Sequence, residues 1–353
     1  MEVRLGDQLE FRSGRSAPER NTHGPFAVYG SNGVIGYTTQ HNTAGPVIVI
    51  GRVGTYCGTV RYCPSDAWVT DNALACRAKN PQESRFWYYA LQTYQLNQHR
   101  TGSGQPLLNQ GILRDLSVPS VAAPDRPRIG ALLGALDDKI AANKQVIRTA
   151  EALMVAVVEP VEERTSLSGL AERSTLFLEP PDFTEDVAHF SLPAFDDGAQ
   201  PLLVTGASVK SGKYLLREPC VLVAKLNPRF PRVWNVPSLP PEMALASSEF
   251  VVLQPAGVDT SVLWAALRQP DVSDMLAQRV VGTSGSHQRV RPRDVLDVRV
   301  RDVRRLTSGQ TRAIADLGAL CQARRMESAR LTAYRDAVLP LLISGEVTVA
   351  DAG

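Results

Sequence analysis

Between Ile129 and Val157, residues recur at alternating steps of four and three: Ile129, Leu133, Leu136, Ile140, Asn143, Ile147, Ala150, Met154 and Val157. Only Asn143 in this series is polar. The spacing draws one apolar stripe along a helix of about 43 Å, the seam of a coiled coil. A one-sided helix takes most of its stability from burying that stripe, so it needs a partner. Pro124 and Pro127 mark its start, as expected where an irregular stretch stops and a helix begins.

A related pattern returns near the C-terminus as "AIADLGALCQARRMESARLTAYRDAVLPLL". In the corresponding frame its seam is Ala313, Leu317, Leu320, Arg324, Glu327, Leu331, Tyr334, Val338 and Leu341, apolar at both ends and charged in the middle. The similarity extends upstream. "AVYGSNGVIGY" (27–37) answers to "LVTGASVKSGKYL" (203–215), and "GPVIVIGRVGTYCGTV" (45–60) to "EPCVLVAKLNPRFPRVW" (218–234). "VTDNALACRA" (69–78) answers to "ASSEFVVLQP" (246–255), and "FWYYALQTY" (86–94) to "VLWAALRQP" (262–270). "GSGQPLLNQGILRDLSVP" (102–119) answers to "GTSGSHQRVRPRDVLDVRV" (282–300). Six matches in one order define a repeat half the length of the chain.

The pattern therefore predicts an α+β chain with a pseudo-two-fold internal repeat. A first β-rich module covers 1–125 and a long helix 126–160. A second module covers 161–305, led in by the acidic stretch 161–185, and a second helix with a short tail covers 306–353. Each module joins β-branched runs through Gly, Asn and Pro turns and carries a short aromatic-rich helix. The simplest partner for the first long helix is the second, packed against it antiparallel; two separate helical hairpins are the alternative.

Composition narrows the function. At 353 residues, 44% hydrophobic and 21% charged, the chain reads as a soluble globular protein of two domains. No apolar run approaches a membrane span and the first residues lack a signal-peptide core, so a cytoplasmic protein is expected. The five cysteines form no CxxC pair and the five histidines no metal-binding spacing, so neither metal nor cofactor is expected. Net charge is only +2, but it is segregated. Glu159 to Asp197 holds ten acidic residues against two arginines. Lys210 to Arg232 holds six basic residues against Glu218, and Arg279 to Arg305 eight arginines against three aspartates. Such segregation fits either solvated faces or a surface for a polyanion.

Strings that imitate catalytic motifs fail on spacing. "GASVKSGKY" has five residues between Gly206 and Gly212 where a phosphate loop has four, and Tyr214 stands in place of the Mg²⁺-binding Ser/Thr. "LEPPDF" leads with Glu179 and puts Asp182 before Phe183, unlike the loop of an adenine methyltransferase. Asp182, Glu185 and Asp186 have no neighbouring lysine to complete a nuclease cluster. A self-contained methyltransferase or nuclease is thereby disfavoured.

The motif order resembles the DNA-specificity (S) subunit of Type I restriction-modification systems over nearly the whole chain. "YGSNGVIGY", "IGRVGTYCGTV" and "GSGQPLLNQGILRDLSVP" followed by "LLGALDDKIAANK" are similar to the first target-recognition domain and central helix of that family. "AKLNPRFPRVW", "SSEFVVL", "GTSGSHQRV" and the terminal "LLISGEV" are similar to the second. The resemblance implies a non-catalytic, phage-defence subunit that binds a bipartite double-stranded DNA sequence, each recognition domain reading one half. Its two helices would set the gap and dock methyltransferase (modification) subunits, two per specificity subunit, with a motor-nuclease subunit joining for restriction. The polar centre of the second helix, at Arg324 and Glu327, departs from the first. The rival reading is a repressor or specificity factor of another defence system.

On a turn stiffened by Pro228 and Pro231, at least two of Lys225, Arg229 and Arg232 are expected at phosphates, with Arg52 at the matching turn. Asn32, Gln105, Lys213, His287 and Arg289 lie in polar loops with donors suited to bases or phosphates. Gly30, Gly33, Gly206 and Gly212 either let backbone amides approach DNA or simply make turns. Leu133, Leu136, Ile140, Asn143 and Ile147, with Leu317, Leu320 and Leu331, are expected at the helix–helix and subunit interface.

Overall fold

The computed structural model describes residues 2–101, 107–183, 185–279 and 288–350. The chain divides into two compact units: Met1–Lys139 with Leu331–Gly353, and Ile140–Arg330. Both long helices, Arg126–Val158 and Ser308–Ser344, contribute to both units.

In the first unit, β1 (Glu2–Arg4), β2 (Leu9–Ser13), β3 (Phe26–Gly30), β4 (Gly33–Thr38) and β5 (Val47–Gly51) are followed by β6 (Val60–Cys63), β7 (Ala67–Val69) and β8 (Ala73–Ala78), and β9 (Ser117–Pro119) comes later. They build an antiparallel sheet of order β2-β8-β5-β6, a smaller sheet β4-β3-β7 with β3 and β7 parallel, and the pair β1-β9. Strand β5 explains the layering. Its sequence VIVIG is buried at every position, because successive side chains point to opposite faces and both faces are covered. Ile48 and Ile50 pack with Phe86 and Trp87 of the helix Ser84–Thr93, and with Ile129, Leu133, Leu342 and Ile343 of the long helices. Val47 and Val49 pack with Tyr29 and Val69 of the smaller sheet.

The second unit repeats this plan. Its strands are β10 (Arg164–Ser166), β11 (Ala171–Arg173), β12 (Phe177–Leu178), β13 (Asp186–Phe190), β14 (Leu202–Thr205), β15 (Lys213–Leu216), β16 (Cys220–Ala224), β17 (Val233–Val236), β18 (Met243–Ser247), β19 (Phe250–Pro255) and β20 (Arg299–Arg301). The order β11-β19-β16-β17 copies β2-β8-β5-β6, and β10-β20 copies β1-β9. In the second sheet β14-β13-β18 copies β4-β3-β7, down to the parallel pair, and β15 and β12 extend it. Strand β16 divides its side chains as β5 does: Val221 and Val223 toward the helix Thr260–Leu267, Leu222 and Ala224 toward the second sheet.

Four of the six repeat segments align strand for strand or helix for helix: 45–60 with 218–234, 69–78 with 246–255, 86–94 with 262–270, and the ends of 102–119 and 282–300, which form β9 and β20. The match of 27–37 to 203–215 does not. The first is the hairpin β3–β4, whereas 203–215 holds β14 and β15, which do not pair with each other. The counterpart of β3 is β13, and the helix Leu192–Asp196 separates it from β14. The acidic stretch 161–185 already supplies β10, β11 and β12.

Within each unit the long helices run antiparallel. Asp137 pairs with Arg335 in the first unit. In the second, Asn143 meets Glu327 and Cys321 lies beside the Ile147 carbonyl. On the central helix Ile129, Leu133, Ile140, Asn143, Ala150 and Met154 are buried, and Leu136, Ile147 and Val157 half-buried. On the C-terminal helix the seam lies one residue later than expected. Ile314, Gly318, Cys321 and Leu342 are buried, whereas Ala313, Tyr334 and Leu341 are exposed. Leu317, Leu320 and Leu331 are half-buried at the flank. At Gly318 this shifted face presses against Ser261 so closely that a Cβ would stand 2.0 Å from its Oγ.

Candidate nucleic-acid interface

In each unit the central strand of the main sheet ends in an eight-residue turn before its hairpin partner: 52–59 between β5 and β6, and 225–232 between β16 and β17. A basic residue opens both. In the first unit Arg52 donates its backbone N–H to Asn72 (3.0 Å), and its carbonyl accepts from Leu108 (2.9 Å). The next residue, Val53, bridges to Leu107. In the second unit Lys225 donates its N–H to the Glu249 carbonyl (2.8 Å) and accepts from Val290 (3.0 Å). The next residue, Leu226, bridges to Arg289. The two turns are thus tied in the same way: to the residue before β8 or β19, and to residues 107–108 or 289–290.

The β3–β4 turn joins the first of these sites. Ser31 Oγ donates to the Val53 carbonyl (2.6 Å), and Thr59 Oγ1 donates to the Ser31 carbonyl (2.7 Å). Asn32, exposed at the tip, therefore sits beside the Arg52 turn. Arg52 itself is half-buried, with Nη1 on the Asp71 carbonyl at 3.4 Å.

The second site is richer in charge but not uniformly free. Arg229 is exposed. Arg289 makes two bonds of 3.1 Å to the Glu249 carboxylate and stays half-exposed. Arg232 makes a bidentate pair with Asp196, at 2.7 and 3.0 Å, which holds its head in place and neutralises it. Lys213 differs from the expected loop donor. It opens β15, is 6% exposed, and turns its ammonium back onto the Ser211 carbonyl and hydroxyl, both at 2.7 Å. Burial lowers its pKa, and burial together with Lys213 lowers that of His189. Gln105 and His287 lie outside the described residues.

Sequence reasoning passed over Glu249 and Asp196, which fix two of the arginines, because carboxylate partners 40 and 36 residues away leave no local signal. Of the expected set, the fold gathers Asn32 with Arg52, and Lys225 with Arg289 and the Arg229 turn.

Nucleophilic chemistry has little support among the described residues. Burial pushes the Cys220 thiol up to about 12 and the Cys321 thiol up to about 11, away from reactive thiolate. No cluster of three metal-ligating side chains occurs among the described residues. Among them, no helix is long and apolar enough to cross a membrane.

Comparison with known proteins agrees with this geometry. Residues 1–152 match the family described as Type I restriction modification DNA specificity domain. A 125-residue stretch is 27% identical to the Type I restriction enzyme EcoprrI specificity subunit of Escherichia coli, covering 33% of this chain and 31% of that protein. The match thus spans about a third of the curated relative. The crystal structure of the Type-I restriction-modification system S subunit from M. genitalium superposes with a TM-score of 0.65, over 97% of this chain and 96% of that one, at 14% identity. That likeness extends the shared fold beyond the matched N-terminal part. Through residues 1–152 the chain is thus similar to the Type I restriction modification DNA specificity domain, and it shares the fold of the M. genitalium S subunit over nearly its whole length.

Proposed function

We propose that the chain is the non-catalytic specificity subunit of a cytoplasmic Type I restriction-modification system. Each unit binds one half of a split double-stranded DNA sequence, and the paired helices fix the number of unread base pairs between the halves. Two methyltransferase subunits dock on the helices, and a motor-nuclease subunit joins for restriction. The observation that carries this reading is the repeated site: the same strand order ends in the same eight-residue turn, opened by Arg52 in one unit and Lys225 in the other. Lys225, Arg229 and Arg289 hold phosphates of one half-site, and Arg52 with Asn32 serves the other. Arg232 supports its turn through Asp196. The central helix has 33 residues and is about 50 Å long, more than the ~34–36 Å of one turn of B-DNA.

The test is a module exchange in cells that also express the methyltransferase, read by mapping methylated DNA. Replacing residues 185–305 with the matching segment of a relative is expected to change one half of the mapped sequence only. One heptad added to both helices is expected to change the gap and leave both halves intact. An uninterrupted target, or two altered halves after one exchange, would overturn the proposal. Lys225→Ala with Arg229→Ala should also make the slope of log affinity against log salt shallower by about 0.9 for each phosphate no longer neutralised. Failure of a methyltransferase to co-purify would favour the repressor reading instead.

A further inference from the structure

We propose that Tyr56 and Phe230 are a matched pair of aromatic DNA contacts, one in each module, that sense bases through their rings. The inference rests on the reading that each module binds half of a DNA target. It adds a specificity-determining contact that carries no charge.

Both residues sit in the eight-residue turns described above, Tyr56 at the fifth position and Phe230 at the sixth. Phe230 is 70% exposed, the most open large apolar side chain among the described residues, and Tyr56 is 50% exposed. The large rings of Phe86, Trp87, Phe190 and Phe250, by contrast, are fully buried. Single exposed apolar residues are ordinary on protein surfaces. Two rings at corresponding turns, each turn opened by a basic residue, are not.

The turns hold these rings outward by a fixed frame. Phe230 donates its N–H to Asn227 (2.9 Å), and Asn227 is itself left-handed at φ 50°. On the other side the Pro231 carbonyl accepts from Arg268 (3.2 Å), and Arg232 is clamped by Asp196. In the first module Thr59 donates to the Tyr56 carbonyl (3.1 Å), and Gly58 to Gly51 (2.8 Å). Gly58 has φ 88° and lies so close to Asn97 that a Cβ would stand 2.6 Å from its backbone nitrogen. No side chain could replace it, so the turn that lifts Tyr56 is set by backbone packing. A turn backbone fixed in this way meets DNA without a large loss of its own conformational entropy.

Duplex DNA offers such a ring two apolar surfaces: the thymine methyl in the major groove, and the face of a base at a kinked step. Either gives sequence preference without counterion release, so its signature is separable from that of Arg229 or Lys225.

The experiment uses the full chain co-purified with its methyltransferase, on a duplex carrying the sequence mapped in cells and on a scrambled duplex. Tyr56→Ala and Phe230→Ala should each weaken binding to the mapped duplex by about tenfold, with the salt slope unchanged and the scrambled duplex little affected. Phe230→Leu, which keeps an apolar side chain at the turn, should retain part of the affinity and checks that the turn still folds. Uracil in place of thymine in one half-site should erase the effect of one alanine variant if the ring meets a methyl group, and leave it if the ring lies against a base face. Wild-type affinity in both alanine variants, or equal loss on the scrambled duplex, would overturn the proposal. A wild-type map without a split sequence would overturn the underlying functional reading as well.

Discussion

The first module ties its short helix to the long helix with buried charge, and the second does so with neutral groups. In the first, Glu83 is 5% exposed and accepts from Trp87 Nε1 at 2.9 Å and from Arg126 Nη1 at 3.2 Å. The same Arg126 nitrogen donates to Gln8 (2.7 Å), and the guanidinium lies 5.0 Å from the centre of the Trp87 ring. In the second, Trp264 Nε1 donates to the Val233 carbonyl (2.9 Å). Gln269 Nε2 donates to Val155 on the long helix (2.9 Å) and to Ala265 (3.1 Å). The strand order is repeated and the fastening is not. What the repeat preserves is a geometric requirement, a short helix held between sheet and long helix, and different residues meet it.

The difference sets an order of sensitivities. Glu83→Ala leaves the Arg126 guanidinium buried without its counter-charge and should destabilise the first unit by about 3–5 kcal/mol. Gln269→Ala removes neutral bonds and should cost the second unit only about 1–3 kcal/mol. Urea unfolding followed by hydrogen exchange resolved along the chain would separate the two, and the comparison breaks if Gln269→Ala proves the costlier.

A second contrast concerns the shared segment Leu-Gly-Ala-Leu of the two long helices. A Cβ on Gly134 would meet the outer part of the Arg85 side chain, at 2.3 Å from Nη1 and 2.6 Å from Cδ, a long flexible chain that can swing away. A Cβ on Gly318 would meet Oγ and Cβ of Ser261 at 2.0 and 2.7 Å, on a short side chain that cannot. Alanine gains about 1 kcal/mol of helix propensity at either site. Gly134→Ala should therefore be near neutral or stabilising, and Gly318→Ala should lose about 1–3 kcal/mol to overpacking. Equal thermal midpoints for the pair would remove the distinction.

Asn143 gives a smaller effect. It is 2% exposed and donates to Glu327 (3.0 Å) and Ser328 (3.3 Å), and Glu327 also accepts from Arg324 (2.8 Å). Asn143→Leu is expected to leave the melting temperature unchanged or raise it, while weakening register. Ile147→Cys would report register through its rate of disulfide formation with Cys321, which should fall when Asn143→Leu is added. An unchanged rate would assign Asn143 to packing alone.

The smallest effect is on pH. Burial, then Lys213, lowers the pKa of His189, so the folded unit favours the neutral ring. The unfolded chain binds the proton more readily, and the stabilisation is complete above the ordinary histidine pKa of about 6.5 and lost as pH falls through it. His189→Gln should flatten the decline in stability between about pH 7 and 5. An identical slope would place the titration elsewhere.

These contrasts also separate what was legible in the sequence from what was not. The heptad stripe from Ile129 to Val157 could be read because periodicity is a local property, and the runs VIVIG and CVLVA because strands covered on both faces lack polar positions. The pairing of "YGSNG" with "TGASV" failed because turn chemistry recurs wherever a chain must reverse, whereas the true counterpart, β13, shares only its place in the sheet. Lys213 is expected in a polar loop, yet it opens β15 and is buried. The Glu83–Arg126 tie and the Gly318–Ser261 contact depend on residues brought together from distant parts of the chain, and no window of sequence contains both partners.

One consequence concerns synthesis. The core of the first unit includes Leu342 and Ile343 beside Leu5, Phe86 and Leu133, while every residue of Ile140–Arg330 precedes them in the chain. A ribosome therefore releases all of the second unit before it delivers the last side chains that the first requires. The module translated first is the one completed last, and until then Ile48, Leu133 and their neighbours wait with part of their apolar cover missing. A ribosome stalled beyond Arg330 would hold the whole second module and a first module still lacking Leu342 and Ile343.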